Sequence, residues 1–130
     1  MQLVSFNKKG GGVVMLTVNQ SKAIEEYWVS HTQYKKDLDA HTAMLQRKGL
    51  SDYTKDARYN HLKKVVDAIS YVTASLDEEL KEFTEIRYLS EDAEFLDWDD
   101  VADALGVTRS KAYKLRSKLI AMTAKKLGWK

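Results

Sequence analysis

The chain has 130 residues, of which 44% are hydrophobic and 31% are charged, and its formal net charge at pH 7 is +2. This composition is typical of one folded domain, or of a helical arm joined to a small domain, and it excludes a disordered or fibrous chain. No apolar run approaches the roughly 20 residues that a membrane-spanning helix needs. The chain has neither cysteine nor proline, which excludes disulfides and thiol chemistry and favours long helices. We therefore expect a mostly helical, cytoplasmic protein with no membrane partner.

The small net charge hides an uneven distribution. Residues 77–103 contain 12 acidic and 2 basic side chains, whereas residues 104–130 contain 8 basic side chains and no acidic ones. The basic segment favours an anionic partner, of which nucleic acid is the commonest. The other interpretation is a solvated surface whose two halves attract each other. Charge alone leaves both interpretations open.

Residues 1–18 differ from the rest of the chain. Two apolar stretches, at 3–6 and 13–18, flank a polar run at 7–12 that ends in three glycines. No helix would tolerate such a run, so the segment is expected to be a small hairpin or a loose leader. No phosphate-binding glycine motif follows it.

Residues 19–76 predict two long helices. From Asn19, a residue type that caps helices, an interrupted heptad-like seam continues to about Lys48. Its members are Ile24, Tyr27, His31, Tyr34, Leu38, His41 and Leu45. After Gly49, a second helix is expected from about Asp56 to Leu76, and its apolar stripe consists of Leu62, Val65, Val66, Ile69, Val72 and Leu76. These helices form an antiparallel hairpin or a coiled-coil arm, and a homodimer through residues 19–76 would use the same stripes.

Residues 77–130 predict three shorter helices, over roughly 77–89, 98–105 and 108–127, with an acidic loop at 90–97. The last two meet the requirements of a helix-turn-helix unit, in which two helices cross over a short turn. Ala102 is the small residue where the backbones approach, and Gly106 supplies the positive φ of the turn. Thr108 caps the second helix, whose Ala112 and Leu115 face the first. The segment is therefore predicted to be a DNA-binding domain.

The second helix of this unit carries a polar face edged by cations, which suits the major groove of double-stranded DNA. The side chains predicted to meet base edges are Ser110, Lys111, Tyr113, Lys114 and Ser117. The cations predicted to hold phosphates are Arg109, Arg116 and Lys118, and Thr108 completes the site at the start of the helix. A solvated basic face on a helical bundle is the competing interpretation.

The stretch Trp98–Ser110 resembles the promoter-reading region 4 of sigma factors, and Leu80–Tyr88 resembles the helix that precedes that region. The chain length, the helical first half and the closing residues 125–129 are similar to the RinA/ArpU group, small phage and prophage regulators of late, packaging and lysis genes. Ser110 and Tyr113 depart from the sigma pattern, which usually has a glutamate and a basic residue at these places. The resemblance implies an all-α fold in which an N-terminal helical arm precedes a sigma-region-4-like helix-turn-helix bundle.

These features predict a sequence-specific DNA-binding regulator that works in a bacterial host cell. By the resemblance it activates phage or prophage late genes and contacts host RNA polymerase. The alternative is a small terminase-like subunit that recognises viral DNA for packaging and oligomerises through its arm. A third interpretation is a helical adaptor that binds only protein.

We expect no enzymatic activity, no metal and no cofactor. Only His31, His41 and His61 could act as histidine ligands, and their spacing gives no close metal-binding pair. The acidic run at 91–100 has no partner nucleophile, and it is expected to cap a helix and face solvent. A further hypothesis is that this run engages a basic patch on RNA polymerase.

Overall fold

The computed structural model describes the backbone of residues 3–8, 12–91, 93 and 96–129, and the side chains of residues 16–91, 93 and 96–129. The chain begins with an antiparallel hairpin of strands β1 (Leu3–Lys8) and β2 (Gly12–Thr17). This hairpin is one of the two forms that the sequence left open for the segment. The described elements that follow are all helical, as the predicted all-α class requires.

The next region consists of two helices, α1 (Val18–Val29) and α2 (His31–Arg47). The prediction of a single helix over residues 19–48 was therefore wrong. The start was also misplaced, because Thr17 rather than Asn19 caps α1. The Thr17 hydroxyl accepts a hydrogen bond from the backbone N–H of Gln20, whose side chain accepts one from the backbone of Thr17.

The helix is interrupted at Ser30, where φ is −102° and ψ is 18°. Beside this bend, Nδ1 of His31 lies 2.8 Å from the carbonyl oxygen of Trp28. A side chain thus contacts a carbonyl that would accept a backbone N–H in a continuous helix. The periodicity of the seam continues across the bend, so periodicity alone could not reveal it.

Helix α3 spans Ala57–Ala74 and α4 spans Glu78–Thr84. Both begin at an aspartate whose carboxylate accepts a backbone N–H, Asp56 for α3 and Asp77 for α4. Helix α4 continues into a π-helical turn, Glu85–Leu89. The helix predicted over 77–89 is therefore α-helical at first and π-helical in its last five residues.

The last two helices are α5 (Trp98–Leu105) and α6 (Arg109–Leu127). Their bounds lie within one residue of the predicted ones. Helix α6 occupies the centre of the fold and contacts β1, α1, α3, α4 and α5. Trp28 has no exposed surface, and its indole N–H donates to the hydroxyl of Thr123 at 3.0 Å. Trp28 is therefore a core residue that joins α1 to α6.

A single hydrophobic cluster contains residues from each of the three predicted segments, 1–18, 19–76 and 77–130. Leu16 represents the first segment, Ile24 and Val65 the second, and Leu119 the third. Helix α3 contacts both α2 and α6, so the α2–α3 pair is attached to the rest of the molecule along α3. The three predicted segments therefore contribute to one hydrophobic core. No helix in the described part of the chain is long and apolar enough to cross a membrane.

Candidate nucleic-acid interface

The connection between α5 and α6 is short and is capped on both sides. Asp97 and Asp100 form a capping box at the start of α5, and Gly106 ends α5 in the left-handed conformation, with φ 68° and ψ 32°. Thr108 then begins α6, because its hydroxyl accepts the backbone N–H of Lys111 at 3.1 Å. The residue types at these positions determine the turn locally.

The two halves of α6 have different surroundings. From Leu119 onward most residues are buried against the neighbouring elements, and the exposed ones on the helix are Lys125 and Lys126. In the N-terminal half, Ala112 and Leu115 face the core, and the opposite side is open to solvent. This open side of the N-terminal half is accessible to a large ligand.

The predicted site residues lie on this half of α6, but their exposure differs. The exposed ones are Thr108, Arg109, Ser110, Tyr113 and Lys114, and the partly buried ones are Lys111, Arg116, Ser117 and Lys118. At 100° per residue, Ser110, Lys114 and Ser117 form the middle of the open side. We call these three residues the central strip. Among the described residues, no carboxylate lies within ion-pair distance of Lys114.

One edge of the central strip is formed by Lys111 and Lys118, which face α4. The Lys111 ammonium lies 3.1 Å from a carboxylate oxygen of Glu79, and the Lys118 ammonium lies 3.5 Å from one of Asp77. All four side chains keep between 38% and 53% of their surface exposed. These cations therefore already have anionic partners, but the pairs are open to water.

The other edge contains Arg116, which points toward α1. Its guanidinium lies 3.1 Å from the carboxylate of Glu25, and the hydroxyl of Tyr88 donates to that carboxylate at 2.6 Å. Only 21% of the Arg116 side chain and 22% of the Glu25 side chain are exposed. The arginine predicted to hold a phosphate thus forms a partly buried bridge between α6 and α1.

The balance of forces on Glu25 favours its charged form. Burial by itself would raise the pKa of Glu25, but the hydrogen bonds from Arg116 and Tyr88 and the charges of Arg116 and Arg87 outweigh burial and lower it. Burial and the neighbouring Glu25 charge raise the pKa of Tyr88, so its hydroxyl stays protonated and donates. The bridge is therefore ionised at neutral pH.

Tyr113 is held in place by an aromatic stack. Its ring lies 4.6 Å from that of Trp98, whose ring in turn lies 6.1 Å from that of Phe83, nearly parallel to it. The guanidinium of Arg109 donates to the Tyr113 hydroxyl at 3.4 Å and lies 3.7 Å from the carboxylate of Asp99. Tyr113 and Arg109 therefore form an exposed, pre-ordered corner at the start of α6.

The histidines have structural partners. His41 contacts Asp56, the residue that caps α3, at 2.8 Å, and the His61 ring packs near Tyr27 and Tyr34. Within the part of the chain that the structure describes, no group of three or more potential ligands could hold a metal ion. His41 therefore links α2 to the start of α3.

The acidic run at 91–100 is only partly described. Asp92 and Glu94 lie outside the described residues, whereas Asp97 and Asp100 cap α5 and Asp99 pairs with Arg109. Glu91, at the start of the run, is exposed, and the polymerase contact through Glu91, Asp92 and Glu94 stays a prediction.

Three partners of α6 were missed from the sequence: Glu25, Asp77 and Glu79. The adjacency of an acidic and a basic segment could have indicated Asp77 and Glu79. No local signal marks Glu25, which lies 91 residues before Arg116. Comparison of the chain with protein-family models, curated proteins and solved structures found no match.

Proposed function

We propose that this protein binds double-stranded DNA through the open half of α6 and regulates transcription. The observation that carries the proposal is the central strip, an exposed polar surface with cations along both edges, on a helix that follows a tight, capped turn. A helix with this distribution of side chains fits the major groove, which is about 12 Å wide. The resemblance to sigma region 4 and to the RinA/ArpU regulators supports activation of phage late genes.

In this proposal the central strip meets base edges. Lys114 and the two serines can donate hydrogen bonds to guanine or thymine acceptors, and Tyr113 contacts a base from its fixed position on Trp98. Arg109 and Lys118 then contact phosphates on the two sides of the groove. Lys111, predicted from the sequence to meet a base edge, is proposed as a phosphate contact too, because it lies beside Lys118 at the edge of the strip. Arg116 is left out of the phosphate contacts, because its guanidinium is held by Glu25 and mostly buried.

Lys114→Ala provides the main test. We expect it to weaken binding to genomic DNA fragments and to change which fragments are selected, since Lys114 lies in the middle of the strip. The matched control is Lys64→Ala, an exposed lysine of α3, which removes the same charge away from α6. Binding is measured by fluorescence anisotropy over a range of salt concentrations, because each phosphate contact contributes about −0.9 to the slope of log K against log salt.

The outcomes separate the candidate functions. The absence of salt-dependent DNA binding would overturn the proposal in favour of a protein-binding adaptor. DNA binding unaffected by simultaneous loss of Arg109, Lys114 and Lys118 would exclude α6 as the binding site. If the protein binds DNA, enrichment of fragments upstream of a structural-gene operon supports activation. A ring of many subunits, detected by mass measurement, would instead favour DNA packaging.

A further inference from the structure

The first turn of α4 lies along one edge of the proposed DNA-binding surface. Its residues Asp77 and Glu79 contact Lys118 and Lys111, at 3.5 Å and 3.1 Å. The two lysines are seven residues apart, so they lie two turns from each other on the same side of α6. Two carboxylates of one short segment thus neutralise an entire edge of the surface.

We propose that this turn of α4 competes with DNA phosphates for Lys111 and Lys118 and so limits the DNA affinity of α6. The inference rests on the proposed DNA-binding function and concerns the regulation of the same site. A phosphate that contacts either lysine must replace a carboxylate, and the released carboxylate then lies close to the DNA backbone and repels it. The first turn of α4 is therefore an internal anionic competitor.

The exposure of these pairs makes the exchange feasible. Ion pairs between side chains that are about half exposed are weak, because water screens them and both side chains lose freedom when they pair. Lys118 and Lys111 can therefore turn from α4 toward DNA. The Glu25–Arg116 pair on the other edge is mostly buried and hydrogen-bonded to Tyr88, so it does not exchange.

Competition of this kind has a signature in the salt dependence. DNA binding releases cations from the phosphates, but a carboxylate that loses its lysine takes up cations from solution. The net release is then smaller, and the two lysines contribute less to the salt slope than free lysines would. A partner with a basic surface that neutralised Asp77 and Glu79 would restore the full contribution of the two lysines to the salt slope. It would also raise the affinity of α6 for DNA.

The test is the double variant D77N/E79Q in the full-length chain. Asparagine is also a good N-cap, so it preserves the cap of α4, and Glu79→Gln alone serves as a second variant that leaves the cap untouched. The control is D39N/D67N, which makes the same change in net charge on α2 and α3. Circular dichroism and urea unfolding verify that each variant is folded.

We expect D77N/E79Q to bind double-stranded DNA about three- to ten-fold more tightly than the control at low salt, with a salt slope steeper by about 1 to 2. Lys118→Ala should weaken binding more in the D77N/E79Q background than in the natural chain, because only there is Lys118 freely available. These two results together would establish the competition.

Other outcomes would overturn the inference. If the natural chain binds DNA but D77N/E79Q and E79Q match the control in affinity and slope, the inference fails and DNA binding stands. If the effect of Lys118→Ala is the same in both backgrounds, the lysine is not in competition with Asp77. If neither the natural chain nor any variant binds DNA in a salt-dependent way, the proposed function itself fails.

Discussion

The carboxylate of Glu25 accepts hydrogen bonds from Arg116 and Tyr88, which lie 91 and 63 residues further along the chain. This single side chain thus ties α1 to α6 and to the π-helical turn. Arg116, for which the sequence predicted a phosphate contact, forms an ion pair with Glu25 in the structure. Lys114, by contrast, keeps the exposure that a DNA contact needs.

Glu25→Gln should lower the free energy of unfolding by about 1.5 to 3 kcal/mol at pH 7, since hydrogen bonds to charged groups contribute about that much. The folded-state pKa of Glu25 is lowered. The charge therefore stabilises the fold above the unfolded-state pKa of about 4.3, and this stabilisation is lost as the pH falls through the lower folded-state value. Urea unfolding at several pH values should show the difference from the natural chain shrinking below about pH 4.

The matched control is Glu26→Gln, the same change one residue further on α1. Glu26 is exposed, and its carboxylate accepts only from the hydroxyl of Ser30 among the described hydrogen bonds. A small effect is expected there. An equal loss in both variants, or a loss at Glu25 that persists at acidic pH, would contradict the role given to the Glu25 carboxylate.

At the scale of elements, the turn between α5 and α6 shows how far local chemistry decides structure. Gly106 has a positive φ, and the two neighbouring helices begin at Asp97 and Thr108, which are residue types that commonly cap helices. The helix bounds could therefore be predicted closely. The bend at Ser30 could not, because no proline or glycine marks it and the periodicity of the seam continues across it.

Gly106→Ala should lower the free energy of unfolding by about 1 kcal/mol, because a residue with a Cβ is strained at positive φ. A Cβ at this position would meet nothing within 4 Å, so the cost reflects backbone conformation and not a clash. Gly106→Asn should cost less, since asparagine tolerates this region better. Urea unfolding of the two variants provides the measurement, and a larger loss for asparagine than for alanine would rule out this explanation.

At the scale of the whole molecule, the position of α6 determines which segments of the chain share the hydrophobic core. Its C-terminal half is covered by α1 and α3, so the region after residue 76 shares its core with the region before it. The homodimer predicted through residues 19–76 would need surfaces other than those of α1 and α3 that face α6. The outer side of α2 is such a surface, since Leu45 is the one residue that α2 buries fully.

A fragment of residues 77–130 should fail to fold cooperatively. Without α1 and α3, the buried side chains of Leu119, Ile120 and Leu127 would face water, and too little apolar surface would remain to offset the loss of chain entropy. Thermal unfolding followed by circular dichroism should give no sigmoidal transition for the fragment. The full chain should give one transition, coincident in circular dichroism and tryptophan fluorescence.

A cooperative transition of the isolated fragment at a temperature close to that of the full chain would contradict the single core. It would then favour the division at residue 76 that the sequence suggested. Two separate transitions of the full chain would have the same meaning.

The sequence by itself determined the helical class, the caps of α5 and α6 with the tight turn between them, and the polar face of α6 with its cations. These features depend on residue types within a few positions of each other, so local hydrogen bonding and periodicity are sufficient to predict them. Only the tertiary structure decided that α6 is the central helix. It also decided that Arg116 forms an ion pair with Glu25, and that Lys111 and Lys118 face the carboxylates of Glu79 and Asp77. These depend on which distant segments pack together, and packing is set by the burial of the whole core and not by neighbouring residues.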